Sequence, residues 1–260
     1  MARVVITGSK GFIATALIGK LKALGHSIYE LPRDFTSVGK FDYLFHTAAY
    51  GNKYHHDNDS EVIKTNINLL WKLLKLTENA PYKAFINFSS SSTLLNYETM
   101  YSATKGSGER IVKAYVNKYK KPVVTVRPYS VYGPNDDPKH FIPVAIKAFK
   151  EDLPLNVAPG EHDWIYIDDL LSGVMKVANN AEKLSGQCVN IGTGLSQSNY
   201  AVVSILQSIF QKHGNVKRVG QMREYDNKDW VSDNSILTSL GWSPEIELEE
   251  GLERLVYDSK

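Results

Sequence analysis

The opening fourteen residues constrain the fold more than any other stretch of the chain. Arg3–Thr7 is a short β-branched run, the pattern of a buried parallel strand. It passes directly into Gly8-Ser-Lys-Gly11-Phe-Ile-Ala14, and Phe12–Leu24 then repeats apolar residues at helical spacing until Gly25 stops it. In a strand–turn–helix unit of this kind Gly8 permits the tight turn, Gly11 lets the backbone approach a ligand, and Ala14 keeps the helix close to the strand. The unpaired N–H groups and the dipole at the helix start favour an anion, such as the pyrophosphate of a dinucleotide.

The pattern then continues as alternating elements. Ser27–Leu31 and Phe41–Thr47 read as strands, Glu61–Glu78 as a long helix, and Ala84–Phe88 as a strand. Met100–Lys118 reads as a helix, and Val123–Arg127 as a strand closed by Pro128. This alternation predicts an α/β fold built on a Rossmann-type, doubly wound parallel sheet. Only Pro32 to Lys40 separates the second strand from the third, whereas a parallel crossover takes about a dozen residues or more. Either a helix–strand unit has been trimmed here or the strand order differs. Beyond residue 128 the rhythm loosens, with a loop at Tyr132–Pro138, helices at Phe141–Phe149, Tyr200–Lys212 and Leu248–Tyr257, and strands at Trp164–Ile167 and Gln187–Ile191. Asp168 or Asp169 is placed to cap a helix after Ile167. Residues 1–128 therefore read as a dinucleotide-binding part and 129–260 as a smaller, mainly substrate-binding C-terminal lobe, with some segments returning to the sheet.

At 260 residues, 43% hydrophobic and 22% charged, the chain has the composition of a globular protein with a sizeable core. The net charge of +2, without a long basic run, argues against nucleic acid as a partner. Gly8 and Gly11 cut the first apolar run short of a signal peptide, and no apolar stretch reaches the ~18 residues of a membrane span. The single cysteine, Cys188, excludes an internal disulfide and fits a reducing compartment, so a soluble cytoplasmic protein is expected. The seven histidines show no metal-ligand spacing, and no metal site is expected.

Tyr101-Ser-Ala-Thr-Lys105 carries the chemistry. Four apart on a helix, Tyr101 and Lys105 share one face, and an ammonium there lowers the phenol pKa from about 10. A phenol tuned this way exchanges a proton near neutral pH, which, beside a dinucleotide site, points to redox chemistry on an alcohol or ketone. The run Ser89-Ser-Ser-Ser-Thr93 places hydroxyls just after a strand, at the edge where open α/β sheets bind ligands. Ser91 is the first choice to hold the substrate oxygen, with Thr93 second. After the second strand, Arg33 points to the 2′-phosphate of NADP(H), with NAD(H) the alternative if Asp34 contacts the ribose instead. Asn66 is a polar residue on an otherwise apolar helix face, suited to bracing loops or supporting a cofactor. Arg223 is suited to clamping a diphosphate, with Asp226 close by.

Taken in order, these motifs resemble the extended short-chain dehydrogenase/reductases, in particular the NAD-dependent epimerase/dehydratase family of nucleotide-sugar enzymes. The likeness includes His46-Thr-Ala-Ala49, Asn66-Ile-Asn68, Phe88-Ser-Ser-Ser91, Arg127-Pro-Tyr-Ser-Val-Tyr-Gly-Pro134, His162-Asp-Trp-Ile-Tyr-Ile-Asp-Asp169, Asn190-Ile-Gly-Thr-Gly194 and Leu240-Gly-Trp-Ser-Pro-Glu245. The resemblance implies a catalytic triad of Ser91, Tyr101 and Lys105, with Lys105 also holding the nicotinamide ribose. It implies a cofactor site lined by Gly8, Ser9, Lys10, Gly11, Phe12, Ile13, Arg33, Thr47, Ala48, Ala49, Asn66, Ser89, Pro128 and Val131, besides Tyr101 and Lys105. For a nucleotide-sugar substrate it implies contacts from Ser91, Thr93, Ser130, Phe141, His162, Arg223 and Asp226, and it implies a homodimer. His162 stands where family members usually carry Arg, Ser130 where many carry Asn, and the segment from Ser91 to Tyr101 is short. That layout is closest to the 4-keto-6-deoxy-sugar reductases, such as the abequose and paratose synthases.

The 4,6-dehydratases of the family place Asp and Glu where this chain has Ser92 and Thr93, and neither hydroxyl replaces a carboxylic acid/base. The expected reaction is therefore reduction of a 4-keto sugar, with a 4-epimerase that retains NAD as the alternative. A non-catalytic redox sensor, a different class, needs no Tyr/Lys pair.

Overall fold

The computed structural model describes residues 1–52, 56, 58–220 and 230–257. In chain order the elements begin with β1 (Arg3–Thr7), α1 (Phe12–Ala23), β2 (Ser27–Glu30), β3 (Tyr43–His46), α2 (Asp59–Ile63), α3 (Leu69–Thr77) and β4 (Ala84–Phe88). They continue with α4 (Met100–Tyr119), β5 (Val123–Pro128), β6 (Ser130–Tyr132), α5 (Phe141–Glu151), β7 (Leu155–Val157), β8 (Glu161–His162) and β9 (Trp164–Tyr166). The last are α6 (Ile167–Asn179), β10 (Cys188–Ile191), β11 (Gln197–Ser198), α7 (Asn199–Phe210), β12 (Val216–Arg218), α8 (Ser235–Ser239) and α9 (Leu248–Tyr257). A π-helical turn, Lys64–Asn68, joins α2 to α3, and a 3-10 turn, Ser91–Leu94, follows β4.

Two compact units result. The first comprises Met1–Pro128 and Leu171–Asn190; the second comprises Tyr129–Leu170 and the chain from Ile191 onward. A six-stranded sheet in the order β10-β5-β4-β3-β1-β2 organises the first. β1 pairs in parallel with both β2 and β3, β3 with β4, and β4 with β5. The registers Thr7↔His46, His46↔Asn87 and Phe88↔Val126 bring the carboxyl ends of four strands to one edge. All five residues of β4 are buried, as expected of a parallel strand covered on both faces.

The short link after β2 is explained by the strand order. β2 and β3 are not neighbours but flank β1, so the link runs across the sheet without a helix of its own. In place of a helix it buries Leu31, Phe35, Val38 and Phe41 against Leu44, Leu70, Leu74 and Phe85. Four apolar side chains in an irregular segment thus cover what an amphipathic helix face ordinarily covers.

Within the second unit β6 pairs in parallel with β9, β7 with β12, and β8 antiparallel with β11. Helix α6 begins at Ile167, and Asp169 does not cap it. Its buried carboxylate accepts the backbone N–H groups of Glu245 (3.0 Å) and Ile246 (2.8 Å), tying that loop to the helix. Among the described residues no helix is long and apolar enough to cross a membrane, and no group of three or more His, Cys, Asp or Glu is arranged to hold a metal ion.

Candidate active site

Three loops leave the carboxyl edge of the sheet close together. The first is the glycine turn. Gly8 adopts φ +67°, and a Cβ there would lie 2.7 Å from Ala48 Cα, so both its conformation and its neighbour require glycine. Gly11 caps α1 with no side-chain hydrogen bond, and the first turn of α1 carries no acidic residue. The N–H groups of this bare helix start remain available to an anion, and the donor set fits a dinucleotide diphosphate.

The second loop follows β3. Thr47 donates to the Thr7 carbonyl (2.6 Å), while Thr7 Oγ1 accepts from the Ala48 N–H (3.3 Å) and is hydrogen-bonded to His46 Nδ1 (2.8 Å). This pins Thr47–Ala49 against the glycine turn. His46 is 2% exposed, and burial, aided by the Lys105 charge, pulls its pKa down to about 3. The unfolded chain thus takes up a proton near pH 6.5 that the folded chain refuses until about 3, so stability falls as the pH drops through that window. One proton corresponds to about 1.4 kcal/mol per pH unit, so between pH 6.5 and 5 the loss is about 2 kcal/mol. Urea titrations at the two pH values are expected to show it in the wild type and to show a slope smaller by one proton in His46→Gln.

The third loop carries the serine run and leads to α4. Thr99 caps α4 by accepting the Ser102 N–H (3.1 Å), while Ser102 Oγ accepts the Thr99 N–H (2.8 Å). This reciprocal cap fixes the helix start so that Tyr101 falls in its first turn. Lys105 is 6% exposed and donates to the Phe88 carbonyl at 2.7 Å, with Nζ 5.8 Å from the Tyr101 ring centroid.

The geometry corrects the expected tuning of the phenol. Burial pushes Tyr101 up to about 12, against a hydrogen bond shared with the Ser90 hydroxyl that lowers it. Lys105 points its ammonium at the Phe88 carbonyl and is itself drawn down to about 8 by burial. Tyr101 therefore holds its proton throughout the neutral range.

Ser91, the expected holder of the substrate oxygen, is 2% exposed and opens the 3-10 turn, which Ser90 caps by accepting the Ser92 N–H (3.1 Å). Two more hydroxyls are already occupied. Ser89 donates to Glu109 (2.6 Å), and Thr93 donates to the Ser90 carbonyl (2.9 Å) and to Glu109 (3.3 Å). Glu109 is the residue here that no sequence motif singles out. The i, i+4, i+8 spacing of Tyr101, Lys105 and Glu109 on one helix was the available signal for it.

Asn66 lies in the π-helical turn, 4% exposed. Its Oδ1 accepts from the Tyr50 N–H (3.0 Å), and its Nδ2 donates to the Tyr50 carbonyl (2.9 Å) and to Thr104 Oγ1 (2.9 Å). The extra residue of the π-turn swings this amide inward, and Gly108 lets the turn pack close to α4, since a Cβ there would meet Leu70 at 3.2 Å. Asn66 is thus a brace between the loop after β3 and the Tyr/Lys helix. Asn66→Ala takes the side-chain partner from the half-buried Tyr50 N–H and carbonyl, while Thr104 keeps its bonds to the Met100 and Tyr101 carbonyls, and is expected to cost about 1–3 kcal/mol in a urea titration.

Of the remaining expected cofactor residues, Ser9, Lys10, Phe12 and Ile13 lie on the glycine turn and helix start, Arg33 is exposed after β2, and Pro128 is buried at the end of β5. Val131 is half-buried in β6. In the second unit Ser130 Oγ is hydrogen-bonded to His162 Nδ1 at 3.2 Å. The His162 ring packs on Trp164 (4.6 Å) and Trp230 (5.4 Å), and Phe141 stacks on Trp164 (6.3 Å). Both indole N–H groups are buried without a hydrogen bond among the described residues. Arg223 and Asp226 lie outside the described residues.

A parallel sheet with a glycine turn after β1 and a Tyr/Lys helix after β4 defines a Rossmann-type dinucleotide-binding protein. Residues 4–192 match the model of the NAD dependent epimerase/dehydratase family, and the chain belongs to that family. It is 27% identical to a CDP-abequose synthase of Salmonella muenchen over 98% of this chain and 97% of that one. Its fold is similar to that of the UDP-glucuronic acid 4-epimerase from Bacillus cereus, solved with UDP-glucuronic acid and NAD (TM-score 0.81, 23% identity, 96% of each chain). It is similar also to that of RMD from Pseudomonas aeruginosa, solved with NADPH (TM-score 0.85, 19% identity, 99% of this chain and 98% of that one).

Proposed function

We propose that this protein reduces the 4-keto group of a nucleotide-activated sugar with a nicotinamide dinucleotide, Tyr101 acting as proton donor. The observation that carries the reading is the Tyr101 phenol beside Lys105 on α4, at the same sheet edge as the bare glycine turn. Reduction needs an acid at the oxygen that becomes an alcohol, and a phenol held at about 12 is in its acid form at neutral pH. The full-length similarity to a CDP-abequose synthase supports the sugar class.

In this reading the first unit binds the dinucleotide and the second the sugar nucleotide. When bound, the dinucleotide supplies the hydride. Phe12 and Ile13 hold its diphosphate on their backbone N–H groups, Gly8 and Gly11 give it room, and Arg33 selects NADP(H). Ser90 and Ser91 hold the substrate oxygen, Tyr101 gives it a proton, and the Lys105 ammonium offsets the negative charge left on the phenol oxygen. Ser130 and His162, in the second unit, receive the phosphates or hydroxyls of the substrate. A cytoplasmic homodimer belongs to the same reading.

A 4-epimerase with a retained NAD is the second reading, favoured by the likeness to an epimerase fold. Mass analysis of the dinucleotide released on denaturing fresh protein separates the two. An empty protein that binds NADPH at least about tenfold more tightly than NADH, with the preference lost in Arg33→Ala, supports the reductase. Stoichiometric bound NAD overturns it.

A further inference from the structure

One buried carboxylate has no part in the proposed reaction, yet it lies one helical turn beyond Lys105. Tyr101, Lys105 and Glu109 follow one another at i, i+4 and i+8 along α4 and so share a face. Glu109 is 8% exposed. Its Oε1 accepts from Ser89 Oγ (2.6 Å), Thr93 Oγ1 (3.3 Å) and Arg127 Nε (2.7 Å), and its Oε2 accepts from Arg127 Nη2 (2.5 Å). The residue before Ser89, Phe88, accepts the Lys105 ammonium on its carbonyl at 2.7 Å. Two consecutive residues at the end of β4 are therefore fastened to one helix, one through Lys105 and the next through Glu109.

We propose that Glu109 is a positioning residue for the Tyr101/Lys105 pair: it locks α4 to the ends of β4 and β5 and sets a buried carboxylate one helical turn from Lys105 on the same face. This rests on the reading of Tyr101 and Lys105 as the acting pair. Burial draws Lys105 down to about 8, and Glu109 acts in the opposite direction. The groups around the two are accounted for. His46, from β3, is neutral at physiological pH. Arg127, from β5, is matched by Glu109 itself. Cys188, from β10, stays a thiol because burial and then Glu109 push it up to about 11. Tyr101, on α4, stays a phenol. Without the carboxylate, Lys105 loses its proton at a lower pH.

The test follows the Lys105 Nζ resonance by 15N NMR in the full chain, assigned with Lys105→Met, across a pH titration. The midpoint is expected to fall by about one pH unit or more in Glu109→Gln and to stay near the wild-type value in Glu109→Asp. The double variant E109Q/R127M removes the guanidinium together with its carboxylate partner, so it guards against misfolding, and its midpoint is expected to fall as well. The alkaline limb of kcat is expected to move down by the same interval. An unmoved Lys105 midpoint in either folded variant overturns the proposal, even where the wild type turns over a nucleotide sugar. A shifted midpoint in a protein that turns over no nucleotide sugar upholds the positioning role and rejects the proposed reaction.

Discussion

Replacing Tyr101 with phenylalanine is expected to lower kcat for ketone reduction by about 100- to 10,000-fold, the usual size of a lost proton-transfer group. The aromatic ring remains, in the first turn of a helix whose cap is made by Thr99 and Ser102, so the backbone has no reason to move. What disappears is the phenol oxygen and the hydrogen bond it shares with Ser90. Lys105 keeps its bond to the Phe88 carbonyl, and the glycine turn is untouched. Dinucleotide affinity, measured by fluorescence titration, is accordingly expected to stay within about threefold of the wild type, since no contact to the diphosphate site changes. Unchanged turnover would show that the proton comes from another group. An equal loss of affinity and turnover would show that Tyr101 acts in binding rather than in chemistry.

The second large effect concerns stability. Arg127→Ala is expected to destabilise the protein by about 3–5 kcal/mol, the cost of leaving one member of a buried ion pair alone. The Glu109 and Arg127 side chains are 9% and 19% exposed, so little water reaches the carboxylate. The two-pronged bond from Arg127 Nε and Nη2 supplies half of the four donors that Glu109 holds. Arg127→Lys keeps the charge without the fork and is expected to cost less, while removing both partners together is milder than removing one. Urea unfolding of the three variants checks the order. A loss below about 1 kcal/mol in Arg127→Ala would mean that the pair behaves as a solvated surface bridge.

The first unit was legible in the sequence because its signals are local. A β-branched run cut by Gly8, apolar residues at helical spacing after Phe12, and Tyr101 and Lys105 one turn apart each depend on a few neighbouring residues. The long helix read over Glu61–Glu78 is interrupted by the π-turn at Lys64–Asn68, because the apolar stripe continues on both sides of it. Asn66, the one polar residue on that stripe, was its only trace. Of the short strands of the second unit only β9 matches an expected strand, Trp164–Ile167; β6, β7, β8, β11 and β12 carry no period in two or three residues.

By itself, then, the sequence determined the class of fold, the strand–glycine–helix start and the identity of the Tyr/Lys pair, all of them readable at a separation of a few residues. Only the tertiary structure decided the rest. The link after β2 crosses the sheet because β3 pairs on the far side of β1, a choice made by long-range strand pairing. Tyr101 keeps its proton because it is buried, and Lys105 aims its ammonium at a carbonyl seventeen residues earlier. Glu109 draws Ser89, Thr93 and Arg127 together because hydrogen-bond partnership depends on what surrounds a residue in space, which its place in the chain does not specify.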